Sequence, residues 1–283
     1  MLKKFLLLSL FAFGAYAQTA QEPEKSALRA NLRELSFIFA NTKVNHAEQY
    51  QNSQISELSA DDQTQIIGKM DFVLEYEKTD FRWDNSLKMA YGKTKIKKVD
   101  GTETTNEPED IILLTTDYAQ KMWKINDADV GPFVNVGYET EFTKNDGARR
   151  TSLFRGKTGA KLFNGLYFED LYAAFVEEAD LTYGKTNMKS AWEVGYRFKF
   201  PVKEGVSFVS EGYYRDYFAY SEKNLSDLKY DLKAFAKMEV EIYKNLNFAP
   251  YVSYRQARSR EADKTGSSII IGVSIGYGNC FDI

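Results

Sequence analysis

Cysteine, histidine and proline are scarce in this chain of 283 residues, which has one Cys, one His and five Pro. The single thiol, Cys280, excludes an internal disulfide and any cysteine-built zinc cluster. It lies at the far end from the leader-like start, so no lipid-attachment cysteine follows that start. A single histidine, His46, cannot build a multi-histidine metal site. No nucleophile–carboxylate pair recognisable in sequence accompanies it, and a catalytic histidine needs one; it reads as a solvated loop residue. Glycine-rich phosphate loops and nucleophile elbows are absent as well. After residue 17 no apolar run approaches the roughly 20 residues that a transmembrane helix needs. The formal net charge is −3 and the pI about 5.5, so nothing electrostatic favours nucleic acid as a partner. These absences leave no cofactor to expect and point away from an enzyme.

The first residues set an address. Lys3 and Lys4 form a basic lead-in, Phe5 to Phe13 is an almost unbroken apolar run, and Ala15-Tyr16-Ala17 is a small-x-small cleavage site. Residues 1–17 therefore read as a secretory signal peptide, whose apolar part is too short to span a bilayer as a helix. The expected layout is a mature chain from Gln18, a flexible periplasmic segment over 18–27, and one domain over 28–283.

Aromatic residues make up 15% of the chain and charged residues 27%, and the two classes are interleaved one by one. That pattern suits a wall with one apolar and one polar surface, because side chains on a strand alternate faces. Met70, Phe72, Leu74 and Tyr76 alternate with Lys69, Asp71, Glu75 and Glu77. Phe81, Trp83, Leu87 and Met89 alternate with Arg82, Asp84, Ser86 and Lys88. The rhythm recurs at 130–142, 192–200, 230–242 and 269–277. It is weaker at 110–122, 150–163, 166–179, 206–220 and 246–257, where three segments leave the facing parity open. Short turns at Thr79-Asp80, Asn126-Asp127, Asn164-Gly165, Lys203-Glu204-Gly205 and Lys244-Asn245 alternate with longer polar loops. Those loops are expected at roughly 42–65, 95–109, 143–149, 180–188, 221–226 and 258–266. Pro132, Pro201 and Pro250 fall near the short turns, where strand ends and bulges tolerate proline.

The reading is all-β: a single antiparallel transmembrane up-and-down β-barrel of about 12 strands. Short periplasmic turns, longer extracellular loops and periplasmic termini place it in the outer membrane of a Gram-negative bacterium. Leu28, Leu32 and Leu35 have helical spacing, so residues 26–35 read either as a short amphipathic helix or as the start of the first strand. The last strand, with Ile269, Ile271, Val273, Ile275, Tyr277 and Phe281 in parity, resembles the signal by which such barrels engage the barrel-assembly machinery. Asp282 and Ile283 extend past the aromatic at which such chains usually stop.

The stretch from Phe81 to Gly92, FRWDNSLKMAYG, resembles a recurring segment of an uncharacterised family of bacterial outer-membrane β-barrels. Tyr118, within 117–121, partly matches a second element of that group. The resemblance, over residues 81–121, implies the same fold and compartment and brings no activity.

Lumen-facing positions are where function is expected. The candidates are Lys69, Asp71, Glu75, Arg82, Lys88, Glu139, Arg155, Lys157, Lys161, Arg197, Lys199, Lys233, Lys237, Glu239 and Arg255. One reading is a narrow passive channel for small hydrophilic solutes, selective by charge; the other is a non-conducting structural or interaction barrel, plugged by lumen salt bridges. A soluble periplasmic β-protein is a third. Arg155, Lys157 and Lys161 form a locally basic stretch that would favour anions. Ser59 is positioned to cap a helix over 60–66, in a loop that either folds inward or covers the mouth. Glu103, Glu107, Glu109 and Asp110 match no calcium-loop spacing. Asn224 sits in an acid-x-Asn-x-Ser glycosylation sequon in an expected loop. Removal of residues 2–17 is expected to retain the product in the cytoplasm, and its recovery in the periplasmic or membrane fraction would overturn the leader assignment.

Overall fold

The computed structural model describes residues 27–50, 55–59, 63–97, 103–143, 149–222, 224 and 227–283. The expected leader over 1–17 and nearly all of the segment 18–27 lie outside these. Alternating sequence becomes strand almost throughout. In chain order the strands are β1 (Ala27–Asn45), β2 (Gln63–Glu77), β3 (Phe81–Lys97), β4 (Glu103–Gln120), β5 (Trp123–Ile125), β6 (Ala128–Thr140) and β7 (Ser152–Phe163). They continue with β8 (Phe168–Asp180), β9 (Asn187–Lys203), β10 (Val206–Tyr220), β11 (Leu228–Tyr243), β12 (Leu246–Ser259) and β13 (Gly266–Asp282). Each strand pairs antiparallel with its neighbours, and β1 pairs with β13, which closes the sheet. β4 and β5 both lie along β6 and form one interrupted stave, so the barrel has 12 staves. The interruption follows from close packing. A Cβ on Gly131 of β6 would stand 1.7 Å from the carbonyl oxygen of Gln120, so only glycine admits the chain there.

The connections alternate as their composition requires. The start of β1 and the end of β13 share one end with the tight turns at 78–80, 126–127, 164–167, 204–205 and 244–245, and all longer connections lie at the other end. In the β11–β12 turn both Lys244 (φ 29°) and Asn245 (φ 68°) are left-handed, the primed geometry whose twist matches an antiparallel hairpin. The long connections are shorter than composition alone implies, because β1 runs to Asn45, β2 starts at Gln63, and β3 and β4 reach Lys97 and Glu103. The helix expected over 60–66 is not there: the helical turn, α1, is Ser56–Ser59, and residues from Gln63 are already strand. Residues 60–62 lie outside the described chain.

The leucine spacing in β1 has a different cause from the one it suggests. Residues 27–35 are strand, and the β1 register shifts against both neighbours between Leu32 and Leu35. At this bulge Arg33 and Glu34 both turn inward, Arg33 to Glu75 and Glu34 to Lys237. One extra residue shifts the alternation, so Leu28 and Leu32 below it and Leu35 above it share the outer face at helical spacing.

The outer wall is apolar and open. Phe37, Phe39, Trp192, Val194, Ile271 and Ile275 are exposed, while Ser36, Ile38, Ala191, Glu193, Ile270 and Ser274 between them are buried. Two aromatic groups cover staves β8–β10 at different heights. Phe198, Phe200 and Phe208 stack near the turn end, and Phe175, Trp192 and Phe218 pack near the loop end. Trp192 and Phe198 lie about 20 Å apart along β9 at strand rise. Paired aromatic girdles flanking an apolar band mark a bilayer-spanning wall, and a closed sheet satisfies the backbone inside lipid without an edge. No helix of the described residues is long and apolar enough to cross a membrane. Val194, 53% exposed between the girdles, sets a test. Val194→Arg is expected to lower the unfolding free energy in lipid vesicles by roughly 2–4 kcal/mol, and an unchanged value would remove the residue from the lipid face.

Candidate functional site: the lumen

Inward side chains are mostly ionisable, and they find one another. On the β7–β10 side, Glu193 accepts from Lys157, from Arg215 Nε (2.5 Å) and from the Tyr172 hydroxyl (2.6 Å). Next to it Glu178 holds Arg155 (2.6 Å), Lys189 (3.4 Å) and Arg215 (3.7 Å), and Lys189 continues to Asp180 and Asp227. Nearer the turn end, Arg82 pairs with Asp84 (2.5 Å), Lys161 with Asp117 (2.6 Å) and Asp170 (3.3 Å), and Glu75 with Arg29 and Arg33 (3.2 Å each). A buried charge is tolerated only when paired and hydrogen-bonded, and the strand registers make these pairs possible.

Three contacts among the described residues cross the bore, and one of them joins Lys233 of β11 to Glu109 of β4 (3.9 Å). Lys88 of β3 reaches Glu211 of β10 (3.5 Å), and Arg197 of β9 reaches Asp71 of β2 (3.4 Å). In a ring of 12 staves β3 faces β10, β2 faces β9 and β4 faces β11, so these ion pairs span the full diameter. Arg197 is also held by Glu169 (2.6 Å) and Glu211 (2.9 Å). Lys237 bridges Glu34 and Glu239, and Lys199 pairs with Glu239 (3.0 Å). Lys69 stands over the rings of Phe235 and Tyr251, in an apolar cluster with Ile38, Ala40, Ile67, Ala90 and Ile270.

Toward the loop end α1 packs inside the bore. The β1–β2 connection folds inward, with Tyr50, Ile55 and Leu58 buried against Ala257 and Ala262. The Tyr50 hydroxyl reaches the carbonyls of Ala257 (3.0 Å) and Lys264 (2.9 Å). Glu57, the one charged residue of α1, accepts from Lys233 (2.6 Å) and lies 3.6 Å from Arg255, which is itself held by Asp231 (2.9 Å). Toward the turn end the bore holds a cavity of about 300 Å³ that runs from Asn245, Asn247 and Cys280 up to Asp71 and Glu211.

All the lumen positions named from sequence make contacts inside the barrel; Glu139, the last of them, holds Arg155 at 3.2 Å. The basic stretch Arg155, Lys157 and Lys161 carries no free positive charge, because each cation has one or two carboxylate partners. Several central residues are absent from that set: Glu57, Asp117, Asp170, Glu178, Lys189, Glu211, Arg215 and Asp231. Five of them, Asp117, Asp170, Glu178, Glu211 and Arg215, lie on strands of open parity. The β9–β10 turn held the missing signal: counting back from it sets Arg197 opposite Glu211 and Glu193 opposite Arg215, two complementary cross-strand pairs.

The loop residues behave otherwise than expected. His46 is not free in solvent: it is half-buried, and its Nδ1–H donates to the Thr265 carbonyl (2.8 Å). Asp110 accepts the N–H groups of Phe142 (2.7 Å) and Thr143 (3.0 Å), so it anchors a loop. Among the described residues no His, Cys, Asp and Glu group could hold a metal ion. Asn224 is exposed, and Ser226 of its sequon lies outside the described residues. The pairing sets a second test. Glu193, fully buried, is the anion for two cations; Glu193→Ala is expected to cost about 3–5 kcal/mol. Lys199→Ala, at a site 46% exposed, should stay within about 1 kcal/mol. Equal urea midpoints for the two variants would reject this ranking.

Solved structures similar to the chain are outer-membrane proteins. The outer membrane channel DcaP of Acinetobacter baumannii is 8% identical, with 94% of this chain and 100% of that one covered, at a TM-score of 0.43. Outer membrane phospholipase A from Escherichia coli is 9% identical, covering 86% and 92%, with a TM-score of 0.43. An anion-selective porin from Comamonas acidovorans is 8% identical, covering 90% and 100%, with a TM-score of 0.38. No curated protein matches the sequence. The chain is a closed antiparallel β-barrel of 12 staves, and its residues 57–145, from α1 into the β6–β7 connection, match the model of a family described as a protein of unknown function (DUF3078).

Proposed function

We propose that this barrel is a narrow passive channel for small hydrophilic solutes, closed at rest by the inward-folded first loop. The observation that supports it most is the seat of α1, where one carboxylate, Glu57, ties a four-residue plug to the wall at Lys233 and Arg255. Glu57 Oε2 is buried without a hydrogen bond, so the seat is incomplete. Below it, Lys88 and Glu211, which meet across the bore, are 37% and 38% exposed, and solvated pairs of this kind hold little free energy. A short plug with one charged anchor, over a solvated charged bore, suits a channel that opens by local displacement. Export through residues 1–17, and insertion by the assembly machinery through β13, belong to the same reading. A non-conducting interaction barrel is the second reading; the wholly buried belt around Glu178 and Glu193 favours it.

The plug's anchor has a defined pH dependence. Burial works against the charge on Glu57, but Lys233 of β11 and Arg255 of β12, with Glu109 of β4 alongside, hold its carboxyl far below the usual range. A carboxylate with a lowered folded-state value stabilises its seat fully above the unfolded value of 4.5. That contribution is lost only as pH falls through the folded value, so acidification from pH 7 to about pH 5 should leave the plug seated.

Planar-bilayer recording of the refolded protein tests both statements. Wild type is expected to show rare steps of equal size at both pH values. Glu57→Gln removes a charge-assisted contact and should raise open probability roughly tenfold or more. Folded protein that gives no steps, as wild type and as Glu57→Gln, would overturn the channel and leave the interaction barrel.

A further inference from the structure

The cavity at the turn end is nearly neutral, with four basic and five acidic side chains on its wall. Most of these satisfy one another, as the ion pairs above describe. Two keep capacity facing the cavity. Lys199 is 46% exposed and, among the described residues, pairs only with Glu239, and Glu211 is 38% exposed with its Oε2 toward Arg197 and Lys88. At the inner end Asp71 keeps one oxygen, Oδ1, buried without a hydrogen-bond partner. One end of the cavity thus has spare anionic acceptors and a lower position has spare ammonium donors.

The register fixes their separation. Arg197 stands opposite Glu211, and Lys199 stands opposite Val209, one pleat nearer the turn. Same-face residues two apart on a strand are roughly 7 Å apart. An α-amino acid with one hydrogen bond of about 2.8 Å at each end bridges such a gap. A lone anion entering here would meet one spare donor among several carboxylates, and a lone cation would leave the spare capacity of Lys199 unanswered. A zwitterion adds no net charge and satisfies both spare groups at once. The volume, about 300 Å³, is at the small end of ligand sites and matches a molecule of amino-acid size.

We propose that this cavity binds small zwitterions of the amino-acid type, with the ammonium on Glu211 beside Asp71 and the carboxylate on Lys199. The proposal deepens the channel reading by naming its solute class, and the site faces the end that carries the tight turns. Cys280, the chain's sole thiol, lines the same cavity and is exposed, so it reports occupancy without an introduced probe.

The test is the rate of maleimide labelling of Cys280 in the full chain refolded in micelles, with folding checked by heat-modifiable mobility. L-Glutamine is the probe; acetate, phosphate and methylammonium are the controls. Saturable slowing by L-glutamine alone is expected, with Glu211→Gln and Lys199→Gln each weakening it roughly tenfold or more. No saturable slowing, equal slowing by acetate or phosphate, or undiminished protection in both variants would overturn the site. Should Glu211→Gln fail to fold, Lys199→Gln decides the matter. Protection without conductance removes the channel and keeps the site. Conductance that L-glutamine neither blocks nor accompanies with thiol protection removes the site and keeps the channel.

Discussion

Closure of the sheet by β1 on β13 is the constraint on which the rest depends. Inside hydrocarbon no water meets an unpaired N–H or C=O, and an open edge would leave a row of them. Pairing from Arg29 with Asp282 to Asn45 with Ser267 removes that edge over the whole height of the wall. Once the sheet is closed, each residue must face either lipid or the bore. A strand period of two then assigns every other side chain to the inside. The charges that lipid rejects are thereby concentrated in a narrow space, where each must find a partner.

That crowding explains the lumen. Twelve staves make a bore between those filled by side chains and those left open to water. Here the filling is ionic: carboxylates on β8–β10 meet cations on β7, β9 and β10, and three pairs reach across the full diameter. The filling is also uneven. Around Glu178 and Glu193 it is dry and tight, which fixes one side of the barrel. Around Lys88, Lys199 and Glu211 it is loose and solvated, and the cavity lies there.

Loop position follows the same division. The tight turns need only residues that accept left-handed backbone, which Asn126, Asn164 and Asn245 provide. The first loop has apolar residues to bury, and the bore offers the nearest covered surface. Tyr50, Ile55 and Leu58 find it beneath β12 and the β12–β13 connection, and Glu57 follows them to Lys233. An inward loop is thus a consequence of where three apolar residues can escape water.

Sequence by itself determined the barrel, its stave number, the alternation of short and long connections and which charges face inward on the strongly alternating strands. Each of these is local: facing parity needs only a two-residue period, and a turn needs only its own residues. It did not decide the bulge at Arg33 and Glu34, whose leucines mimic helical spacing until two neighbouring strands impose register. Nor did it decide that Arg155, Lys157 and Lys161 are neutralised, because their partners sit 9 to 44 residues away on other staves. The contacts across the bore and the seat of Glu57 belong only to the tertiary structure, since closing the ring is what makes β2 and β9, or α1 and β11, neighbours at all.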